Sequence, residues 1–286
     1  MVNREENNQI EVSASELHTH QKIHSLREPA IRAAINTLNL PRGSYGLDAG
    51  CGIGLITHML SEAISPGGYV IGLDLSADFV IYANNQLEKI HSPHGVSFQE
   101  GDVNSLPFND HTFDWVWSAD TLWPGPPETG CPSDDPFAMV KELARIVKPG
   151  GTLAILFWSS QKLLPGHPLL EARLNMTSQA TAPFIQGMNP EQHILRGLSW
   201  LRDAGLGEVK AHTFIADVST PLNDSIQDAL LVTFNMFWGN SENEVPQDDW
   251  NEFNRICRPE SPDFILNNPD YYAFLTYTMF YGKVVF

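Results

Sequence analysis

Residues 47–54 read Leu47-Asp48-Ala49-Gly50-Cys51-Gly52-Ile53-Gly54, and glycine or alanine fills four of these eight positions. The stretch lies where an apolar run stops and an amphipathic pattern begins. Glycines at such a turn permit positive φ and let a ligand touch the main chain, and a helix starting there offers free N–H groups. A phosphate-cradling P-loop needs Lys and then Ser or Thr directly after its last glycine. Here Leu55 and Ile56 follow Gly54 instead, which excludes that loop. The dinucleotide fingerprint G-x-G-x-x-G, started on Gly50 and Gly52, puts its third glycine on Leu55.

Working outward, β-rich runs alternate with helical periodicity. The runs are "SYGLDAG", "YVIGLDL", "VSFQEGD", "FDWVWSA" and "TLAILFW". Between them Ile53, Ile56, Leu60 and Ile64 recur at helical spacing, as do Val80, Ala83, Leu87 and Ile90, and Val140, Leu143, Ala144 and Val147. Strand-helix alternation of this kind predicts a parallel, doubly wound sheet with right-handed crossovers. Ile31, Ile35 and Leu38 predict a helix after Pro29, ahead of the first strand. Beyond Trp158 the rhythm is lost, and the stretch 159–188, rich in Pro, Gly and Gln, is longer than an ordinary connection and predicts a cap insertion. Residues 189–205 then read as one helix, with Asn189 as N-cap, Pro190 at the first position and Gly205 as terminator. "EVKAHTFIADV" predicts a sixth strand, 221–270 a second helical cap, and the aromatic, β-branched tail a final strand.

The second β-run ends in Asp74, about twenty residues after the glycine loop, the distance at which a carboxylate reaches ribose hydroxyls. The third leads into "GDVNSLPF" with Asp102, and the fourth into "FDWVWSADTLW". Any one of these acids reads equally as a turn or helix-cap residue. Their recurrence at consecutive strand ends marks the edge where open α/β sheets bind ligands. The series resembles the class I S-adenosylmethionine-dependent methyltransferases of small-molecule type, similar to those of ubiquinone and menaquinone biosynthesis. "LDAGCGIG", "GLDLS", "GDVNSLPF" and "FDWVWSAD" match their first four motifs, and "LARIVKPGGTLAI" matches the helix and turn before the fifth strand. The resemblance covers Ser44 to about Phe157, and the C-terminal half only in outline.

That resemblance implies a Rossmann-like, doubly wound, mostly parallel seven-stranded sheet with helices on both faces and helical cap insertions, and a division of labour. The backbone at Gly50 and Gly52 lies against the methionine part of S-adenosylmethionine, and Asp48 accepts near its ammonium group. Asp74 binds the ribose hydroxyls, Leu75 packs on the adenine, Asp102 accepts from the adenine amino group, and the Val103 N–H donates to the ring. Ser118 offers its backbone carbonyl, and Cys51 fills the place of a small residue. The expected organisation is an N-terminal helical region, 1–43, over the cofactor; a core, 44–158; a cap, 159–188; helix and sixth strand, 189–220; a second cap, 221–270; and a last strand, 271–286.

Methyl transfer needs positioning and exclusion of water, and a base only where the acceptor must lose a proton. Candidates for the base are Asp120, His167 and His193, each of which reads equally as an ordinary polar residue. Trp123, Trp158, Phe184, Phe237 and Trp238 are candidates for the wall of an acceptor pocket, or for core under the caps. Such walls suit an aromatic or isoprenoid-like acceptor. The product would be S-adenosylhomocysteine. His18, His20 and His24 do not share one helix face, and no metal is expected. Three cysteines at wide spacing, Cys51, Cys131 and Cys257, argue against a disulfide framework and for a reducing compartment, hence the cytoplasm; they do not match the cysteine pattern of arsenic methyltransferases. A formal net charge of -17 without a basic run argues against nucleic acid as partner, and no stretch is long and apolar enough to span a membrane. Two other readings share the topology: a nicotinamide-dependent oxidoreductase, and a cofactor-binding module without catalysis.

Overall fold

In a computed structural model that describes residues 14–90, 95–123, 135–181 and 189–285, the apolar runs form one seven-stranded sheet. Strands Tyr45–Ala49 (β1), Tyr69–Asp74 (β2), Gly95–Glu100 (β3), Phe113–Ala119 (β4) and Val147–Lys162 (β5) pair in parallel. Leu206–Ser219 (β6) and Tyr272–Val284 (β7) complete it in the order β3-β2-β1-β4-β5-β7-β6, with β7 antiparallel to both neighbours. This is the doubly wound sheet that the alternating periodicity predicts, mostly parallel as the resemblance implies. The chain winds outward from β1 to β3, then returns to place β4 on the other side of β1, so the order reverses between β1 and β4.

Helices Ala14–Leu38 (α1), Leu55–Ala63 (α2), Ala77–Ile90 (α3), Pro136–Arg145 (α4), Pro168–Leu174 (α5), Ser178–Thr181 (α6), Gly197–Asp203 (α7), Asp224–Trp238 (α8) and Gln247–Cys257 (α9) cover the sheet. One large core joins α1, α2, α8 and α9 to one face through Ile31, Leu60, Leu230, Phe234 and Phe253. A second core sets α4 and α7 against the other face through Met139, Leu143, Trp200 and Leu201. Burying each such side chain contributes roughly 1.5–3 kcal/mol, which fixes which way every amphipathic helix turns. The ends are capped as the sequence allows. Asp135 accepts from the Phe137 N–H at 2.9 Å to start α4, and Asn223 accepts from the Ile226 N–H at 2.9 Å to start α8.

Three stretches differ from the expectation. α1 runs unbroken through Pro29 rather than starting after it. Ile23 and Leu26 ahead of the proline, and Ala30, Ile31, Ala34 and Ile35 behind it, bury one continuous face, while Pro29 itself points to solvent. Burial on both sides therefore outweighs the missing amide of the proline. Residues 189–205 do not make one helix. Asn189 caps a 3-10 turn at Pro190–Gln192, a second turn spans Ile194–Arg196, and only Gly197–Asp203 is α-helical. His193 is extended (ψ 138°) and accepts from the Leu195 N–H at 3.2 Å, which closes the first turn and caps the next. Finally, β5 continues to Lys162, into the stretch read as the first cap, because its end pairs with β7 as far as Phe274.

The two segments that interrupt the core pack on each other. Trp238 Nε1 donates to Asn175 Oδ1 at 3.0 Å, Gln179 Nε2 donates to the Met236 carbonyl at 2.8 Å, and Arg173 pairs with Asp249 at 2.7 Å. Among the described residues, no helix is long and apolar enough to cross a membrane, and no group of three His, Cys, Asp or Glu is placed to hold a metal ion.

Candidate active site

The reversal between β1 and β4 opens a crevice at the carboxyl ends of the strands, the place where such sheets take ligands. Two hydroxyls lace its walls together. Ser118 Oγ donates to the Ala49 carbonyl at 2.8 Å, and Thr121 Oγ1 donates to the Gly50 carbonyl at 3.3 Å and to that of Ala119 at 3.0 Å. Gly50 has φ +80°, and a Cβ there would lie 2.0 Å from Thr121 Oγ1, so glycine is required by the close approach of β4. Gly52 has φ +52°, yet a Cβ there would meet no protein atom within 4 Å. Its side faces open space, which is what a backbone that receives a ligand needs. Gly54, also left-handed, starts α2.

The acids around this loop are held in place by the loop itself. Asp74 takes the Gly52 N–H at 2.7 Å on one oxygen and the Ser76 N–H at 2.9 Å on the other. Each oxygen keeps a lone pair for a further donor. Asp48 is buried and accepts from Thr57 Oγ1 at 2.7 Å. Burial pushes its carboxyl up to about 7, with the nearby Asp74 adding to the rise and Thr57 and Arg27 opposing it. Burial likewise raises Asp74, against the amides that it accepts. Cys51 is buried and its thiol is pushed well up, so it is inert there. Leu75, 55% exposed, offers an apolar surface beside Asp74. Asp102 accepts the Asn104 backbone and side-chain N–H groups, each at 2.8 Å, so it closes the turn after β3, and Val103 is buried. Two acids with spare acceptor capacity, a backbone open on one side and an exposed leucine fit a ligand with an ammonium, a sulfonium and an adenosine. They do not fit a pyrophosphate, which the acids would repel.

Beyond the crevice, towards β5, lies a cavity of about 590 Å³. Trp123, Trp158 and Phe237 line it, as do Asp120 and His193. Trp158 stands edge-on to Phe237, with ring centroids 5.4 Å apart. α1 closes one side through Thr19, His20, Ile23 and Arg27, and the caps supply Ala180, Thr181 and Met236. The N-terminal part of α1 also reaches α3, where His20 rests edge-on against Phe79 and Gln21 bonds to Tyr82. Asp120 holds a left-handed backbone, φ +51°, directly after β4. Its Oδ1 accepts the Trp158 N–H at 2.8 Å, and its Oδ2 accepts the Tyr277 hydroxyl at 2.7 Å and Arg27 Nη1 at 3.4 Å. Burial raises the Asp120 carboxyl, with Arg27 and these hydrogen bonds opposing it.

Two candidates lie elsewhere. His167 sits ahead of α5, with Nδ1 3.3 Å from Glu252 Oε1, and does not line the cavity. Trp238 is fully buried and does not line the cavity. It stacks on Phe234 and meets Phe253 edge-on, because its position on α8 turns inward where that of Phe237 turns to the cavity. Phe184 and Cys131 lie outside the described residues. Sequence reasoning missed Arg27, Thr57, Thr121 and Tyr277. Tyr277 belongs to a run read only as a strand, and Arg27 to a stretch read only as a helix. No local spacing links either to Asp120, 157 and 93 positions away.

Fold and crevice together resemble those of the class I, S-adenosylmethionine-dependent methyltransferases. The family model described as a methyltransferase domain matches residues 47–155. Curated relatives include the demethylmenaquinone methyltransferase of Staphylococcus epidermidis, 34% identical over 131 residues, and that of Bacillus licheniformis, 33% identical over 126. The first alignment covers 46% of this chain and 49% of the relative, the second 44% and 50%. The chain thus spans about half the length of the curated relatives it matches. Among solved structures, phosphoethanolamine N-methyltransferase 2 of Haemonchus contortus in complex with S-adenosyl-L-methionine aligns over 96% of this chain and 58% of its own, with TM-score 0.56 and 16% identity. The YcgJ protein of Bacillus subtilis aligns over 90% and 98%, with TM-score 0.53 and 16% identity. These two share the fold.

Proposed function

We propose that the chain transfers a methyl group from S-adenosylmethionine to a small, largely apolar acceptor held in the aromatic cavity. The observation that carries this is the cavity itself, which lies beside the glycine crevice, with Thr121 bonded to Gly50 at their junction. S-adenosylmethionine supplies an electrophilic methyl carbon on a sulfonium. The residues of this chain do the rest. Gly50 and Gly52 present bare backbone, Asp48 receives the ammonium group directly or through water, and Asp74 receives the ribose hydroxyls. Leu75 supports the adenine, with the Asp102 carboxylate and the Val103 N–H at its edge, and the Ser118 carbonyl faces the ammonium. α1 covers both sites and excludes water, which raises the efficiency of a displacement in which charge is lost.

Trp123, Trp158 and Phe237 hold the acceptor, and for a hydroxyl acceptor Asp120 and His193 are the titratable groups at hand to take its proton. The Staphylococcus and Bacillus relatives are named for demethylmenaquinone. The cap residues Ala180, Met236 and Phe237 fall outside the matched domain, while Asp120 and Trp123 fall within it. With both described cysteines free and buried, we place the protein in the cytoplasm.

A thermal-shift titration with S-adenosylmethionine, S-adenosylhomocysteine and NAD tests the reading. A ligand of the folded state at about a hundred times its Kd adds about 2.7 kcal/mol. Stabilisation by both adenosyl ligands and not by NAD is expected. Stabilisation by NAD alone would make this a dehydrogenase-like domain, and binding of the adenosyl ligands without turnover on any acceptor would make it a binding module.

A further inference from the structure

Among the described residues that line the cavity, Arg27 is the one permanent cation and Asp120 the one acid. The position is unusual in a chain whose formal net charge is -17. Arg27 is anchored on α1, and its side chain is only 13% exposed. A guanidinium carries five donors in a rigid fork, and here it reaches Asp120 and the Tyr277 oxygen. Its Nε is buried with no hydrogen-bond partner among the described residues. Its contact with Asp120 is 3.4 Å, well beyond the 2.7–2.9 Å typical of a charge-assisted bond. The same Asp120 oxygen is already taken by Tyr277 at 2.7 Å, and the other by the Trp158 amide at 2.8 Å.

A buried ion pair that served stability alone would close its fork on the carboxylate, since an incompletely paired buried charge is costly. Asp120 and Tyr277 instead steer the guanidinium to the wall of a chamber whose other lining is mostly apolar, with Thr19, Ser159, Gln161 and Thr181 among its uncharged polar groups, and leave it donors to spare. A neutral apolar acceptor would gain nothing from that charge, and a cationic one would be repelled by it.

We propose that the acceptor is an apolar molecule carrying an ionised oxygen, a carboxylate, phenolate or enolate, and that Arg27 receives this oxygen at the cavity wall. Arg27 is thus a specificity-determining residue, and the aromatic walls bind the skeleton to which the anion is attached. The inference rests on the reading of the cavity as the acceptor site.

The test uses the full chain saturated with S-adenosylhomocysteine. Calorimetric titration compares 1-naphthoic, 2-naphthoic and 2-anthracenecarboxylic acids with their primary amides at pH 8. At least one acid is expected to bind about tenfold or more tightly than its amide, the scale of a hydrogen bond to a charged group. The preference should vanish in Arg27→Gln and be partly kept in Arg27→Lys. Equal binding of each acid and its amide, no binding by any of the acids, or a preference that survives Arg27→Gln overturns the proposal. The wild-type acid–amide comparison decides without the variants, should Arg27→Gln fail to fold. Failure of S-adenosylhomocysteine to bind would instead strike the methyltransferase reading. The same comparison run without it still decides whether the cavity selects an anion.

Discussion

The two halves of the ligand-binding edge are built by opposite means. At β1 and β2 the site is main chain and acid. Gly52 gives its N–H to Asp74, Thr57 holds Asp48, and the partners all lie at the two strand ends or in the loop and first helical turn that follow β1. Beyond β4 and β5 the site is side chain and aromatic, assembled from α1, the ends of β4 and β5, both caps and β7, with one cation set in it. The first half suits a positively charged ligand of fixed chemistry, the second a variable apolar one. Their junction is a single hydroxyl, that of Thr121. A shared fold can therefore keep its cofactor while the caps change the acceptor, and the matched domain ends at Ile155, before the caps begin.

The sharpest way to break this comparison is to truncate one tryptophan of the core and one of the cavity wall. Trp238→Ala empties a fully buried site and should cost about 3–5 kcal/mol in urea unfolding. Trp158→Ala removes a ring that already faces the cavity on one side and should cost roughly 1–2 kcal/mol, while weakening the naphthoate probes. Equal losses of stability from the two would mean that the chamber is core and not a binding site.

The next effect belongs to the other half. Asp74→Ala should weaken S-adenosylmethionine binding by about 1.5–3 kcal/mol, the scale of a hydrogen-bonding charged group, measured by calorimetry. It should leave the acid–amide preference in the cavity intact, since Asp74 does not line that space. Unchanged affinity for S-adenosylmethionine would mean that the ribose lies elsewhere.

The difference between the halves also decides what could be read in the sequence. Asp48, Gly50, Gly52 and Asp74 stand out because their geometry is local, with glycines at a turn and an acid at a strand end. Trp123, Trp158 and Phe237 were legible only as aromatics in the right segments, and nothing in their spacing separated Phe237, on the cavity, from its neighbour Trp238, in the core. His167 looked as eligible as His193 until the caps were folded. Arg27 and Tyr277 could not be found at all. They matter through Asp120, which only the packing of α1 and β7 against the end of β4 brings to them. The break at His193 and the continuity through Pro29 were hidden for the same reason, because distant burial and side-chain capping overrode the local signal.

The smallest expected effect is a titration, and it tests whether the β1 half is tuned for a cation. The Asp48 carboxyl stands at about 7 in the folded chain, above the ordinary carboxylate range, chiefly through burial. In the unfolded chain it ionises near 4. The folded state thus binds a proton that the unfolded state lacks between those values, so this group's contribution favours folding in acid. That contribution falls as pH rises from about 4 to about 7 and then stays flat. An ammonium placed beside Asp48 favours the ionised form, so cofactor binding below about pH 7 must expel that proton. S-adenosylhomocysteine should therefore bind about tenfold more tightly at pH 8 than at pH 6, with the gain levelling off above about 7, as seen by calorimetry across that range. Proton release at pH 6, read from buffers of different ionisation enthalpy, should accompany it. In Asp48→Asn both the slope and the release should disappear. Binding that is flat from pH 6 to 8 in the wild-type chain would mean that the ammonium group does not meet Asp48, and the acid at the head of the glycine loop would then serve only to anchor Thr57.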